Sequence, residues 1–456
     1  MTNSAATAEL PVVSSWGHHM SETLRLGIPL VGAQLAQLAI HTTDIVIIGR
    51  IGTAELAAMV LAGQFWFTIF IFGSGFANAV VPMAAQAFGL GDTVYVRRSV
   101  RMGLWSVLIF CALTMPVFYF AEPILLSLDQ DPQVSRLAAE YLKIAGWSMV
   151  PALVFYVLRS FLSAVNQAGI ILYVTIVILV ANAILAYALV LGHFGMPRLG
   201  LTGAAISSVT VNCLSVIIAI AYIRLKPSLH SYTLFIRFWK PDWRTLSEVF
   251  WLGLPISVTI LSEVTLFTLA SLLMGSIGTI DLAAHGIALQ LASIAFMIPL
   301  GLGQAATVRV GVAYGQNDRA NVVRAAVSVI LIGMGCSVVG GTIFALYPEF
   351  LASLFLDMSN PDANDVLKVA SSFVVIAAIF QLVDGLQAIA AALLRGIKDT
   401  TVPMMLALFS YWAIGFTGCY VFAFSLQLGG IGIWYGFVAG LVVAAIVLSV
   451  RFFRKV

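Results

Sequence analysis

The chain has 456 residues, of which 61% are hydrophobic and 9% charged, and its mean hydropathy is +1.02. Soluble domains carry about 25% charged residues, so this chain cannot cover itself with polar surface. A water-soluble enzyme or nucleic-acid-binding protein is excluded, and the formal net charge of +3 decides little beside that.

Residues 1–20 are Ser-rich, include His18 and His19, and lack a basic stretch followed by an apolar run, so no cleavable signal peptide is expected. Beyond them the apolar runs are each long enough to cross a hydrocarbon core of about 30 Å as a helix. Twelve spans are predicted, and the first six fall near 24–48, 55–81, 99–120, 138–163, 168–192 and 200–224. A basic segment at 225–247 then separates these from six more near 248–275, 283–308, 324–347, 369–394, 401–424 and 431–451. Cys111, Cys213, Cys336 and Cys419 each lie in an apolar run without metal-ligand spacing and read as small core residues.

The charges follow the loops. One set of connections carries Arg97, Arg98, Arg101, Arg224, Lys226, Arg237, Lys240, Arg244, Arg319, Arg324, Arg395, Lys398, Arg451, Arg454 and Lys455. The alternate set carries mainly Arg50, Arg136, Arg198 and Lys368, with the acids Glu122, Asp129, Asp131, Glu349, Asp357, Asp362 and Asp365. The positive-inside rule therefore predicts cytoplasmic termini and an even number of spans.

The chain also repeats. LGIP at 26–29 returns as LGLP at 252–255, IGTAELAA at 51–58 as IGTIDLAA at 277–284, and FGLGD at 88–92 as YGQND at 314–318. All three pairs share the offset 226 (252 − 26, 277 − 51, 314 − 88), and GLTGAA at 200–205 faces GGIGIW at 429–434 at 229. The expected architecture is all-α: two six-helix lobes, residues 1–235 and 236–456, in parallel topology about a pseudo-two-fold along the membrane normal. Sites in such proteins lie between the repeats near the midplane.

Three carboxylates fall inside spans: Asp44, Glu263 and Asp384. An ionised side chain at mid-bilayer costs roughly 2.5–3.5 kcal/mol on insertion scales, which marks such residues for function unless they serve as protonated or paired helix glue. No Lys or Arg lies within about a helical turn of any of them in sequence, so no local counter-charge is expected. On the first span Gln34, Gln37, His41 and Asp44 form one polar stripe on an apolar helix. In the repeat register Gln37 matches Glu263, and on the tenth span Gln381 and Gln387 flank Asp384 at three-residue steps. The amide pairs Gln64/Gln290 and Asn78/Gln304 also match and read as helix–helix glue. Pro29 and Pro255 match too and are placed to kink the first and seventh helices. No Walker A motif, HExxH motif or nucleophile elbow occurs, so no enzyme and no cofactor are expected, and active transport would draw on an ion gradient.

These residues bring a family into view. HTTDIVIIGRIGTAELAA at 41–58, LSEVTLFTLASLLMGSIGTIDLAAHGIALQ at 261–290, RVGVAYGQND at 309–318, FQLVDGLQAIAAALLRGIKDT at 380–400 and SYWAIGFTGCY at 410–420 resemble the MATE (multidrug and toxic compound extrusion) transporters of the bacterial NorM type. The resemblance covers essentially the whole chain. It implies a V of two lobes, in the bacterial inner membrane, that exports cationic or amphipathic drugs in exchange for inward Na⁺ or H⁺, most simply as a monomer with the bilayer as its only other partner. It puts cation-binding carboxylates, and so Na⁺, at Glu263 and Asp384. The first lobe's acid falls at Asp44 with Asn182 on the fifth helix, and with Gln34, Gln37 and His41 these are the expected substrate or proton residues. Two positions depart from the family pattern: Phe380 stands where a Tyr supplies a further oxygen, and Ala186 stands where a second polar residue follows the Asn. The alternative is a flippase for a lipid-linked precursor from the same superfamily, for which a cationic cleft would be expected.

Overall fold

The computed structural model describes residues 15–357, 359 and 361–456, so the first fourteen residues of the expected first lobe lie outside the described residues. Among the described residues, twelve helices are long and apolar enough to cross a membrane. They are α1 (Trp16–Ile48), α2 (Thr53–Gly89), α3 (Thr93–Tyr119), α4 (Pro132–Ala164), α5 (Ala168–Leu191), α6 (Gly200–Leu225), α7 (Trp243–Ile277), α8 (Thr279–Gly315), α9 (Arg319–Leu346), α10 (Ala363–Gly396), α11 (Thr401–Ser425) and α12 (Gly429–Lys455). In a bilayer only a helix satisfies every backbone group within its own segment, which is why apolar runs with no strand-like alternation all take this form. Several helices overrun the apolar spans: α1 begins at Trp16 rather than near 24, α2 continues to Gly89, and α8 to Gly315. Hydropathy marks the hydrocarbon core, whereas a helix continues as long as its backbone bonds can. Pro29, Pro82, Pro116, Pro255 and Pro299 all sit inside helices.

The repeat is written in the backbone. Gly52 and Gly278 precede α2 and α8 with φ/ψ of 174°/164° and 175°/160°. Asp92 and Asp318 cap α3 and α9, each accepting from the backbone N–H three residues on, at 2.9 and 3.0 Å. The halves also use the same helix pairs: α2 with α4 as α8 with α10, α4 with α6 as α10 with α12, and α5 with α6 as α11 with α12. Across the halves α1 packs on α8 and α2 on α7.

Close approach across the halves depends on glycines, and these come in pairs at offset 226. A Cβ on Gly27 would lie 2.7 Å from Leu302, and one on Gly253 would lie 2.8 Å from Phe76, the repeat mate of Leu302. Gly75 abuts Ser257 and Gly301 abuts Val31. Gly89 abuts Val312 and Gly315 abuts Gln86. Every contact therefore recurs with the halves exchanged, as an approximate two-fold requires. All six glycines lie in the end of the molecule that carries the C-terminus and the start of α1. Two polar clusters close the same end. Arg309 of α8 donates to His19 O and Nδ1 of α1, both at 2.7 Å, and to the Thr23 hydroxyl. Tyr95 of α3 donates to Glu248 of α7, which also accepts from Lys398 at 2.9 Å.

Toward the opposite end Gln37, His41, Gln64 and Gln290 are exposed. Polar side chains in membrane helices face protein or a wet cavity rather than lipid, so these four are placed to line a water-filled space toward that end. The segment joining the halves is strapped to α3: Arg97 donates to the Thr233 hydroxyl at 2.6 Å, Arg101 to Arg237 O at 3.1 Å and Trp105 Nε1 to Phe238 O at 3.0 Å.

Candidate functional site

In the second half, Glu263 of α7 and Asp384 of α10 line one cavity of about 410 Å³, with walls from α2, α7, α8, α10 and α11. They lie close enough for the charge of Glu263 to act on Asp384. Asp384 is 5% exposed, and its Oδ1 has no hydrogen-bond partner. Gln387, one turn on, lines the same cavity; its Nε2 donates to the Tyr411 hydroxyl of α11, while its Oε1 has no partner. Gln381, on the other side of Asp384, turns instead toward Gly340 and Gly341 of α9. Position 411 falls in a π-helical stretch, Phe409–Phe416, the kind of widened turn that recurs at functional sites. The next residue pins α11 to α7, since Trp412 Nε1 donates to the Ser262 hydroxyl at 2.6 Å, beside Glu263.

One expectation needs correcting. No local counter-charge was expected near the acids, yet Arg395 lines the cavity with them, and its charge and that of Glu263 act on each other. Arg395 stands eleven residues after Asp384 (395 − 384), three turns along α10 and on nearly the same face, a relation that a search within one turn does not see. Phe380 contributes no oxygen. It belongs to an aromatic cluster, with ring centroids 5.4 Å from Trp434 and 6.0 Å from both Phe267 and Phe437.

In the first half, Asn182 of α5 and Tyr141 of α4 lie near enough to the Asp44 carboxylate of α1 to act on it, and the buried Asn182 Oδ1 has no hydrogen-bond partner. The rest of the predicted stripe divides. His41 is exposed, while Gln34 and Gln37 are engaged by a residue that sequence reading passed over, Arg159 of α4. This guanidinium is 4% exposed. It donates to Gln34 Oε1 at 2.9 Å, to Gln37 Oε1 at 3.3 Å and, across the halves, to Gln304 Oε1 of α8 at 2.9 Å. The signal was there: Arg159 is a charge inside the predicted fourth span, as anomalous as the three acids. Ala186 is buried and adds no polar group. Among the described residues, no three His, Cys, Asp or Glu side chains gather as a metal cluster. The site can therefore offer a cation two carboxylates with amide and hydroxyl oxygens, a set for hard ions rather than transition metals.

The MatE family model matches residues 29–188 and 255–421, one block in each half. The chain belongs to the MatE family. A "Probable multidrug resistance protein NorM" of Rhizobium meliloti (strain 1021) is 60% identical over 441 residues, 97% of this chain and 94% of its own length. A protein of the same description from Agrobacterium fabrum (strain C58 / ATCC 33970) is 58% identical over 453 residues, 99% of this chain and 97% of its own. The crystal structure of a eukaryotic MATE transporter superposes with a TM-score of 0.86 over 96% of both chains, at 20% identity. That likeness is one of fold, and it bears out the all-α, twelve-span reading. The chain is a bacterial NorM-type MATE transporter, a multi-pass membrane protein and not an enzyme.

Proposed function

We propose that the chain is a secondary active multidrug efflux transporter that exports cationic or amphipathic compounds in exchange for inward Na⁺, with H⁺ as the other candidate ion. The relatives named for multidrug resistance support the efflux. The observation that carries the exchange is the pair Glu263 and Asp384 on one cavity, with a buried carboxylate oxygen unpartnered. Hard cations take oxygen ligands, and an orphaned buried acceptor costs about 1–3 kcal/mol that a bound cation removes. With the site empty, Arg395 offsets part of the acids' charge; a cation entering from the end away from the termini completes the neutralisation and loosens the hold of Glu263 on Arg395. Drug taken up from the other side favours cation release, and the outside cation favours drug release. A potential of 100 mV contributes about 2.3 kcal/mol per charge and each tenfold ion gradient about 1.4 kcal/mol. Asp44 with Asn182 serves the drug or a proton, and His41 and Gln37 line the way to them. The protein works in the bacterial inner membrane as a monomer, with cytoplasmic termini and lobes that divide near residue 235.

The test is ²²Na⁺ binding and Na⁺- or pH-driven efflux by purified protein in liposomes. Glu263→Gln and Asp384→Asn should each abolish Na⁺ binding and efflux while leaving the protein inserted, and Asp44→Asn should impair transport while Na⁺ binding survives. Binding lost only in Asp44→Asn would reverse the assignment. One observation favours a second reading, transport of a lipid-linked precursor with an anionic headgroup: Arg159 stands between the halves hydrogen-bonded, among the described residues, to neutral amides alone. Competition of such a lipid with drug efflux, lost in Arg159→Gln, would establish that reading.

A further inference from the structure

We infer that Gln387 supplies a third protein oxygen to the coupling cation and that Tyr411 positions it. The inference rests on the cation site proposed at Glu263 and Asp384.

The oxygen count motivates it. Two carboxylates leave a hard ion short of ligands unless neutral oxygens complete the shell, and Phe380, packed on Trp434 and Phe437, offers none. Gln387 sits one turn from Asp384 on the same helix face and is 2% exposed. Its two amide atoms have separate fates. Nε2 is tied to the Tyr411 hydroxyl, whereas Oε1 is buried without a partner. Asp384 Oδ1, equally unpartnered, borders the same cavity. Acceptors that share a cavity and lack donors repel one another and are stabilised by a positive charge between them. A single proton satisfies one pair of acceptors, whereas a metal cation serves several at once.

Tyr411 holds one end of the amide, and the end left over is the oxygen. The Tyr411 side chain is fully buried, and the phenol oxygen accepts from Nε2, which holds the amide with its oxygen free. The π-helical stretch carrying Tyr411 also carries Trp412, whose bond to Ser262 ties it to α7 beside Glu263. Three helices thus meet at the site: α7 with one acid, α10 with the other acid and the amide, and α11 with the hydroxyl that orients the amide. Gln387 is a ligand in this scheme, and Tyr411 is a positioning residue that does not touch the ion.

The experiment compares ²²Na⁺ binding to full-length protein in detergent for wild type, Asp384→Asn, Gln387→Met and Tyr411→Phe, with Li⁺ and K⁺ as competitors. Thermal unfolding with NaCl against choline chloride accompanies each. Wild type should bind ²²Na⁺ and be stabilised by NaCl, and Asp384→Asn should do neither. Gln387→Met, near-isosteric but without the oxygen, should lose at least tenfold in Na⁺ affinity with altered preference among Na⁺, Li⁺ and K⁺. Tyr411→Phe should lose affinity less steeply and keep the wild-type ion preference. If wild type shows no Na⁺ binding or NaCl stabilisation, the cation site and this inference fall together. Loss in Asp384→Asn with Gln387→Met within twofold of wild type leaves the site standing and overturns the role of Gln387. A Gln387→Met protein that unfolds earlier but keeps its full NaCl-induced stabilisation makes Gln387 a packing partner of Tyr411 and overturns it equally. Altered ion preference in Tyr411→Phe would make Tyr411 a ligand and overturn its positioning role.

Discussion

Arg159 of α4 donates to the side chain of Gln304 of α8 at 2.9 Å, a bond that joins one half of the molecule to the other. With Gln34 and Gln37 accepting from the same guanidinium, it bridges α1, α4 and α8 where the halves meet. Hydrogen bonds to a charged donor contribute about 1.5–3 kcal/mol each. Arg159→Ala should lower the unfolding temperature and reduce efflux at least tenfold. Arg159→Lys should recover only part of either, because an ammonium cannot reproduce the planar fork. Thermal unfolding and dye efflux from liposomes read both; full rescue by Lys would show that the charge alone matters.

The glycines at the closed end make a conformational prediction. A Cβ at position 89 would stand 2.3 Å from Val312 O, and one at 315 would stand 2.3 Å from Gln86 O. These are backbone atoms, so α2 and α8 must part. Overpacking of this kind costs about 1–3 kcal/mol. Gly89→Ala and Gly315→Ala should each lengthen the distance between spin labels at 90 and 316, and the two changes should match because the contacts are mates. Distances equal to wild type would show that this end yields elsewhere.

Glu248 holds the other side of that end, accepting from Tyr95 and from Lys398, whose ammonium also lies 5.4 Å from the Tyr95 ring centroid. Glu248→Gln should weaken the closure and favour the state open toward the termini. A single-cysteine reporter at Val249, buried in this structure, should then label faster with a water-soluble maleimide. Unchanged labelling would mean that the glycine contacts suffice.

The strap between the halves supplies a prediction with a pH sign. Burial pushes the Asp242 carboxyl up, but bonds from the Thr245 backbone and hydroxyl and the charges of Arg98 and Arg101 outweigh it, and the net shift is downward. A carboxyl held below its unfolded value stabilises the fold above that value, and the contribution is lost as pH falls through the depressed folded value. Asp242→Asn should therefore cost stability at pH 7 and little at pH 3. A deficit that persists undiminished at pH 3 would locate its role in the cap geometry alone. Trp105→Ala, which removes the bond to Phe238 O, should loosen the strap at either pH.

Much of the fold was legible because its driving pattern is local. Spans show as apolar runs, and the repeat shows because IGTAELAA and IGTIDLAA, with the capping Asp92 and Asp318, recur at one offset. The acids were legible because a carboxylate in a greasy run is conspicuous. Arg159 was equally conspicuous, yet its amide partners come from two other helices, so the sequence shows a charge without showing what holds it. Arg395 and Tyr411 were hidden for another reason. At a span's end Arg395 reads as a loop charge, in mid-span Tyr411 reads as one more apolar-run aromatic, and only packing turns either toward Glu263 and Asp384.

The exchange-symmetric glycine contacts have a consequence for ancestry. Gly27 on Leu302 and Gly253 on Phe76 are one contact made twice, and so are the pairs at 75/301 and 89/315. A six-helix unit bearing a single copy of this surface already contains both sides of every contact, so two identical copies can dock on one another. Six spans also bring the chain back to the side from which it started, so tandem duplication of such a unit inserts its second copy in the same orientation. The fused gene could therefore inherit a working homodimer interface whole, leaving the two copies free to diverge into one half with Asp44 and another with Glu263 and Asp384.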